Sequence, residues 1–125
     1  ANFFSNIKVL PDLNANGRFT LGENLADHGG LQVSFYAYKN ATADKPLKVK
    51  DGFTADQRFF LAYAGVWGQN ITEKEIRNRV KRDPHALGKW RVNGALPHVD
   101  AWYEAFGIKE GDKLFIPKSE RLQLW

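Results

Sequence analysis

The sequence predicts a mainly α-helical protein, on three observations. Thr20–Glu23, Thr54–Gln57 and Thr72–Glu75 each place a hydroxyl residue three positions before Glu or Gln, the form of an N-terminal capping box. Apolar residues after each box recur at three- and four-residue spacing, the period of one helix face. Little of the chain reads as strand.

The elements follow in order. The first stretch, to about Phe19, is irregular, with apolar Phe4, Ile7, Val9 and Leu10 and turn signals at Pro11 and Asn16-Gly17. The first helix opens at the Thr20 box, carries a stripe at Leu21, Leu25, Ala26 and Val33, and runs to about Tyr38. Gly29-Gly30 falls inside it. Each glycine costs about 1 kcal/mol relative to alanine in a helix interior, so close packing of another backbone or helix is expected there. After a polar stretch from Asn40 to Gly52, the second box opens a helix with Phe60, Tyr63, Ala64 and Trp67 on one face. The third opens a helix bearing Ile76 and Val80. It stops near Asp83, because Pro84 disfavours helical geometry in the residue before it. A loop is expected from Pro84 to Gly94. Pro97 then suits the first turn of a fourth helix, with Val99, Trp102 and Phe106 as its stripe and Gly107 as its stop.

Composition narrows the function. A chain of 125 residues, 43% hydrophobic with four tryptophans, has material for a core. The net charge of +4 invites a nucleic-acid reading, but the densest cationic run, Arg77, Arg79, Lys81 and Arg82, shares its helix with Glu73 and Glu75. That is the pattern of a solvated mixed-charge face. No nucleic-acid-binding motif accompanies it, so no nucleic-acid partner is expected. The absence of cysteine leaves carboxylate and imidazole as metal-binding side chains. No apolar run is long enough to span a bilayer. The chain lacks methionine altogether and opens at Ala1, which reads as a processed product or a fragment.

Glu23 and Asp27 are four residues apart and share a helix face. Two carboxylates so placed repel slightly unless a cation or donor lies between them. A metal held by the first, with the second accepting from a metal-bound imidazole, would relieve that repulsion. On spacing alone the plainer reading prevails: Glu23 closes the Thr20 box and Asp27 is a solvated helix residue. Likewise His85 after Pro84 reads as a turn residue and Arg91 as a surface charge.

The string Gly22-Glu23-Asn24-Leu25-Ala26-Asp27-His28-Gly29-Gly30 changes that balance. It resembles the Glu-Asn-x-Ala-Asp-x-Gly-Gly motif of the neprilysin-type (M13) zinc metalloendopeptidases, with every specified position met. The resemblance continues collinearly through Asp51-Gly52-Phe53-Thr54, Gln57 to Tyr63, Trp67, Asp83-Pro84-His85, Lys89 to Gly94, Phe106 and Trp125. It implies the C-terminal helical part of a thermolysin-like (zincin) catalytic domain, spanning residues 1–125. Position by position, it implies that Glu23 is a zinc ligand and that Asp27 hydrogen-bonds a zinc-bound histidine. It further implies that His85 stabilises the oxyanion and Arg91 grips the substrate backbone. His28 and His98 match no such role and are read as non-ligands.

The same resemblance implies one zinc ion, peptide substrates and an extracytoplasmic location. The family's His-Glu-x-x-His motif is absent from these residues. The expected partner is therefore the N-terminal portion of the same enzyme, which would carry the remaining ligands, and the segment alone is expected to be inactive. The tail, Arg121-Leu122-Gln123-Leu124-Trp125, lacks the cysteine found near the end of many animal members and points to the bacterial branch. A non-catalytic helical binding module and a degenerate homologue that has lost its histidines are the competing readings.

Overall fold

Helix formation here follows the capping boxes, but not all of them. The structure, a computed structural model, describes residues 1–124; Trp125, which enters the resemblance, lies outside the described residues. A single turn, α1 (Asn2–Ser5), leads into a small antiparallel hairpin of β1 (Lys8–Leu10) and β2 (Leu13–Asn14). Four longer or better-packed helices follow: α2 (Leu21–Ala41), α3 (Ala55–Val66), α4 (Glu73–Arg82) and, later in the chain, α6 (Asp100–Phe106). Between α4 and α6 lie a short helix, α5 (Gly88–Asn93), and a 3-10 turn at Leu96–His98.

The Thr54 box forms completely. Gln57 N–H donates to Thr54 Oγ1 at 3.2 Å, and Thr54 N–H donates to Gln57 Oε1 at 2.9 Å. Thr72 caps α4 by accepting from Glu75 N–H at 3.3 Å. The Thr20 box does not form. Its hydroxyl donates to the Asn16 carbonyl at 3.0 Å and accepts from Asn24 Nδ2 at 2.9 Å, so Asn24 holds the oxygen that the helix amide would need. The Thr20 N–H that a Glu23 cap would need is donated to the same Asn16 carbonyl at 3.0 Å, so the Glu23 carboxylate caps nothing.

Three further expectations are corrected. The stripe on α2 is not its core face, because Leu21, Ala26 and Val33 are exposed. Asn24, His28, Leu31 and Phe35 are buried instead, a face hidden in the sequence because two of its members are polar. The expectation of close packing at Gly29-Gly30 fails for the second glycine: Gly29 is buried, but Gly30 meets no neighbouring atom where a Cβ would stand. It lies on an open groove of about 400 Å³ between α2 and α3, with Ala26, Ala62 and Val66 among its walls. The stretch expected as a loop contains α5, and Pro97 sits in the 3-10 turn rather than in the first turn of α6. A six-residue helix shows too few turns for its period to be read.

The core gathers Leu31 and Phe35 of α2, Phe60 of α3, Leu96, Val99, and Trp102 and Tyr103 of α6. Phe60, 1% exposed, stacks on Phe35 with ring centroids 5.2 Å apart and meets Phe59 edge-on at 5.3 Å. Gly107 ends α6 with φ of +63°, the left-handed geometry that favours glycine. The chain beyond folds back on α6. Tyr103 hydroxyl donates to the Pro97 carbonyl at 2.8 Å and accepts from Ile116 N–H at 2.9 Å. Arg121 binds Asp100 at 2.8 Å and lies 3.4 Å over the Tyr103 ring.

Candidate active site

The capping geometry leaves the Glu23 carboxylate available on α2, and its Oε2 stands 3.3 Å from His85 Nε2. His85 lies between α4 and α5, where Asp83 takes the extended conformation expected before Pro84 (φ −99°, ψ 121°). Asp83 then folds back on its successor. One of its oxygens, Oδ1, accepts from His85 N–H at 2.9 Å and lies 2.8 Å from His85 Nδ1, which fixes the imidazole plane. Arg79 Nε donates to the other Asp83 oxygen at 2.8 Å. Burial pushes the Asp83 carboxyl up, but the His85 and Arg79 hydrogen bonds outweigh it and hold the group down to about 2.

One turn along α2, Asp27 makes a second link to the same region. Arg91 Nε donates to Oδ2 at 2.7 Å and Nη2 to Oδ1 at 2.6 Å, a bidentate pair whose side chains are 16% and 12% exposed. Asp27 keeps the arginine firmly charged. The guanidinium carbon stands 3.7 Å from the Trp67 ring centroid, and Tyr63 hydroxyl donates to the Arg91 carbonyl at 2.9 Å. Burial, and then the Asp27 charge, push the Tyr63 phenol up to about 12, which keeps it a donor.

The structure thus gathers Glu23, Asp27, His85 and Arg91 into two cross-links between α2 and the segment 83–91. Among the described residues no three His, Cys, Asp or Glu side chains converge as a metal site. A catalytic zinc takes about three protein ligands. The donor set here fits a contribution to such a site, one free carboxylate beside an imidazole, and not the whole of it. Sequence reasoning assigned no role to Asp83, Arg79 or Tyr63. The spacing Asp83-Pro84-His85 was a usable signal, since an Asp side chain commonly bonds the amide two residues on. Trp67 entered the sequence reading as part of an apolar stripe and of the resemblance, with no role at the site.

His28 and His98 face each other elsewhere, ring centroids 6.1 Å apart, under Phe3. His28 is 2% exposed, and His98 Nδ1 accepts from Leu122 N–H at 3.1 Å. Burial pushes His28 down; burial, then His28 and Arg121, hold His98 down to about 4. Unfolded imidazoles take up protons near 6.5, so the unfolded chain binds more protons below that pH. Stability is full above 6.5 and is lost as pH falls toward about 4, where folded His98 also protonates. Urea midpoints are expected to fall between about pH 7.5 and about pH 4.5. His98→Asn, which keeps an acceptor for Leu122, should flatten that fall, and an unchanged slope would remove His98 as its source.

The comparisons with known proteins agree with the fold and the motif. The family model described as Peptidase family M13 matches residues 1–122. Neprilysin-3 of Drosophila melanogaster is 32% identical over 88% of this chain and 14% of its own length. The endothelin-converting enzyme homolog of Locusta migratoria is 35% identical over 89% of this chain and 16% of its own. Human endothelin-converting enzyme 1 is 35% identical over 88% and 14% respectively. The structure of Mycobacterium tuberculosis zinc metalloprotease Zmp1 in its open state superposes with a TM-score of 0.94 at 33% identity. That match covers 99% of this chain and 20% of the Zmp1 chain; the Zmp1 complex with an inhibitor matches equally.

What the helices define is a mainly α segment matching the C-terminal part of a metalloprotease catalytic domain. The chain belongs to peptidase family M13. It spans only about a sixth or less of the length of the relatives named here, and about a fifth of Zmp1.

Proposed function

We propose that this chain is the C-terminal segment of a zinc-dependent metalloendopeptidase and supplies the carboxylate zinc ligand, Glu23, to a site completed by upstream residues. The observation that carries the reading is the state of Glu23. Its carboxylate is not used as a helix cap, because the Thr20 N–H is donated to the Asn16 carbonyl, and it stands against His85 instead. When bound, zinc supplies Lewis acidity toward the scissile carbonyl and toward water.

The chain's own residues do the rest. His85, its ring held by Asp83, donates a hydrogen bond from Nε2 to the oxyanion as charge builds there. Asp27 has lone pairs beyond those that Arg91 occupies, since a carboxylate accepts at about four sites. It can therefore orient a metal-bound imidazole while holding Arg91. Arg91 donates to a substrate carbonyl and excludes water from that side of the bond.

The test is zinc retention. In the complete protein, Glu23→Ala should reduce bound zinc from about one per chain to below about a tenth. Unchanged zinc content would remove Glu23 from the ligand set. The 125-residue chain by itself should hold no stoichiometric zinc at micromolar metal, and finding it there would refute the shared-site reading.

A further inference from the structure

We propose that the cavity between α1 and α2 binds a small neutral ligand, a single apolar ring bearing a hydroxyl group, which the His28 imidazole recognises. The cavity holds about 170 Å³ and shares no wall residue with the Glu23–His85 or Asp27–Arg91 pair, so the proposal stands apart from their roles. Phe3 and Phe4 of α1 and Leu21 and Leu25 of α2 make its apolar walls, with the His28 and His98 rings beside them. The fold builds these walls closely. A Cβ on Gly94 would stand 2.6 Å from Phe4 Cζ, so glycine there lets Phe4 seat. Phe3 meets the His98 ring edge-on at 4.8 Å.

His28 is 2% exposed, and among the described residues neither of its ring nitrogens has a hydrogen-bond partner. Leu122 lies against the ring but makes no bond of acceptable geometry with it. A buried polar atom left unpaired is costly, so a ligand that pairs with it gains what the chain forgoes. Burial holds both imidazoles toward the neutral form. Neutral His28 has one N–H and one bare nitrogen. A hydroxyl donates and accepts, and so pairs with whichever of them faces the cavity. Asn24, the other polar wall residue, already gives an amide proton to Thr20. A carboxylate or ammonium group would be buried with no charged side chain on the walls to offset it. Two imidazoles alone do not complete a metal site, and no third donor converges among the described residues. Size then decides between water and a larger guest. One water, with a share of about 30 Å³, would pair with the ring and leave most of the apolar wall uncovered, whereas an apolar cavity of about 150 Å³ takes up benzene.

The experiment titrates the complete protein with phenol by calorimetry. Phenol should bind saturably, one per chain, with a Kd of about 1 mM or tighter. Benzene leaves the imidazole unpaired and should bind at least about tenfold more weakly. Benzoate should show no binding at the same concentrations. Leu21 is 38% exposed, so Leu21→Trp can fill the cavity from its rim. In a protein that keeps its urea transition, that change should abolish phenol binding. His28→Leu should weaken phenol about tenfold and leave benzene within about twofold. No saturable phenol binding, phenol binding that survives Leu21→Trp, or benzene as tight as phenol would overturn the proposal. So would a His28→Leu protein that keeps the parental preference for phenol. Should His28→Leu lose its urea transition, selective ¹⁵N-histidine labelling reads the same contact in the parent. Phenol should then shift a His28 ring nitrogen and benzene should not, and an unmoved His28 would overturn the assignment.

Discussion

On the oxyanion role proposed for His85, its replacement with alanine in the complete protein should lower kcat by about 10²–10³-fold while KM moves little, the signature of a donor used in the transition state alone. The reason lies in how the imidazole is held. Asp83 binds both the His85 amide and its Nδ1, so the ring is fixed before substrate arrives and no reorganisation is needed as charge develops. Asp83→Ala should cost about tenfold through that orientation, within the range seen when a partner of a functional imidazole is lost. Steady-state kinetics of both variants at equal zinc content would check this. A His85→Ala enzyme with parental kcat would take His85 out of the chemistry and leave it as a neighbour of Glu23.

The second large effect concerns stability. Phe60→Ala should destabilise the protein by about 3–5 kcal/mol, a large part of the roughly 5–15 kcal/mol that holds a typical domain folded. Phe60 is 1% exposed and sits among Phe35, Phe59 and, at 6.5 Å, Phe106, so its removal opens a hole ringed by aromatic rings that cannot easily collapse. Phe60→Leu should cost clearly less. Urea midpoints for the pair would check it, and near-equal midpoints would mean that the core relaxes around the gap.

Much of this molecule was legible in its residues because the signals were local. Thr54 and Gln57 satisfy each other's backbone groups within one turn, and Pro84 acts on the residue beside it. Those readings hold. The Thr20 box failed for a reason equally local but invisible to a three-residue pattern, since the Asn16 carbonyl takes the Thr20 N–H and Asn24 engages the Thr20 hydroxyl. The core face of α2 was missed because Asn24 and His28 are polar and buried, which hydrophobic spacing cannot report. Exposure of Leu21 and Val33 belongs to the described residues, where nothing covers that side of the helix.

The candidate site divides in the same way. Glu23, Asp27, His85 and Arg91 were picked out by a motif and not by spacing, and the structure brings them together in pairs. The pairs themselves were unreadable. Nothing in the chain's order states that Asp27 meets Arg91, or that Trp67 lies beneath it, because such contacts depend on how α3 and α5 dock. Asp83 was the exception, a helper two residues from its histidine that turn chemistry alone could have found.

The Asp27–Arg91 pair joins residues 64 positions apart. Closing so long a loop costs entropy that no local contact returns, and contacts of high sequence separation are those that slow a folding chain. The capped helices α3 and α4, of 12 and 10 residues, lie inside that loop and are marginal on their own. Helices and candidate half-site are therefore expected to gain their order together, so loosening the Asp27–Arg91 pair should loosen both helices.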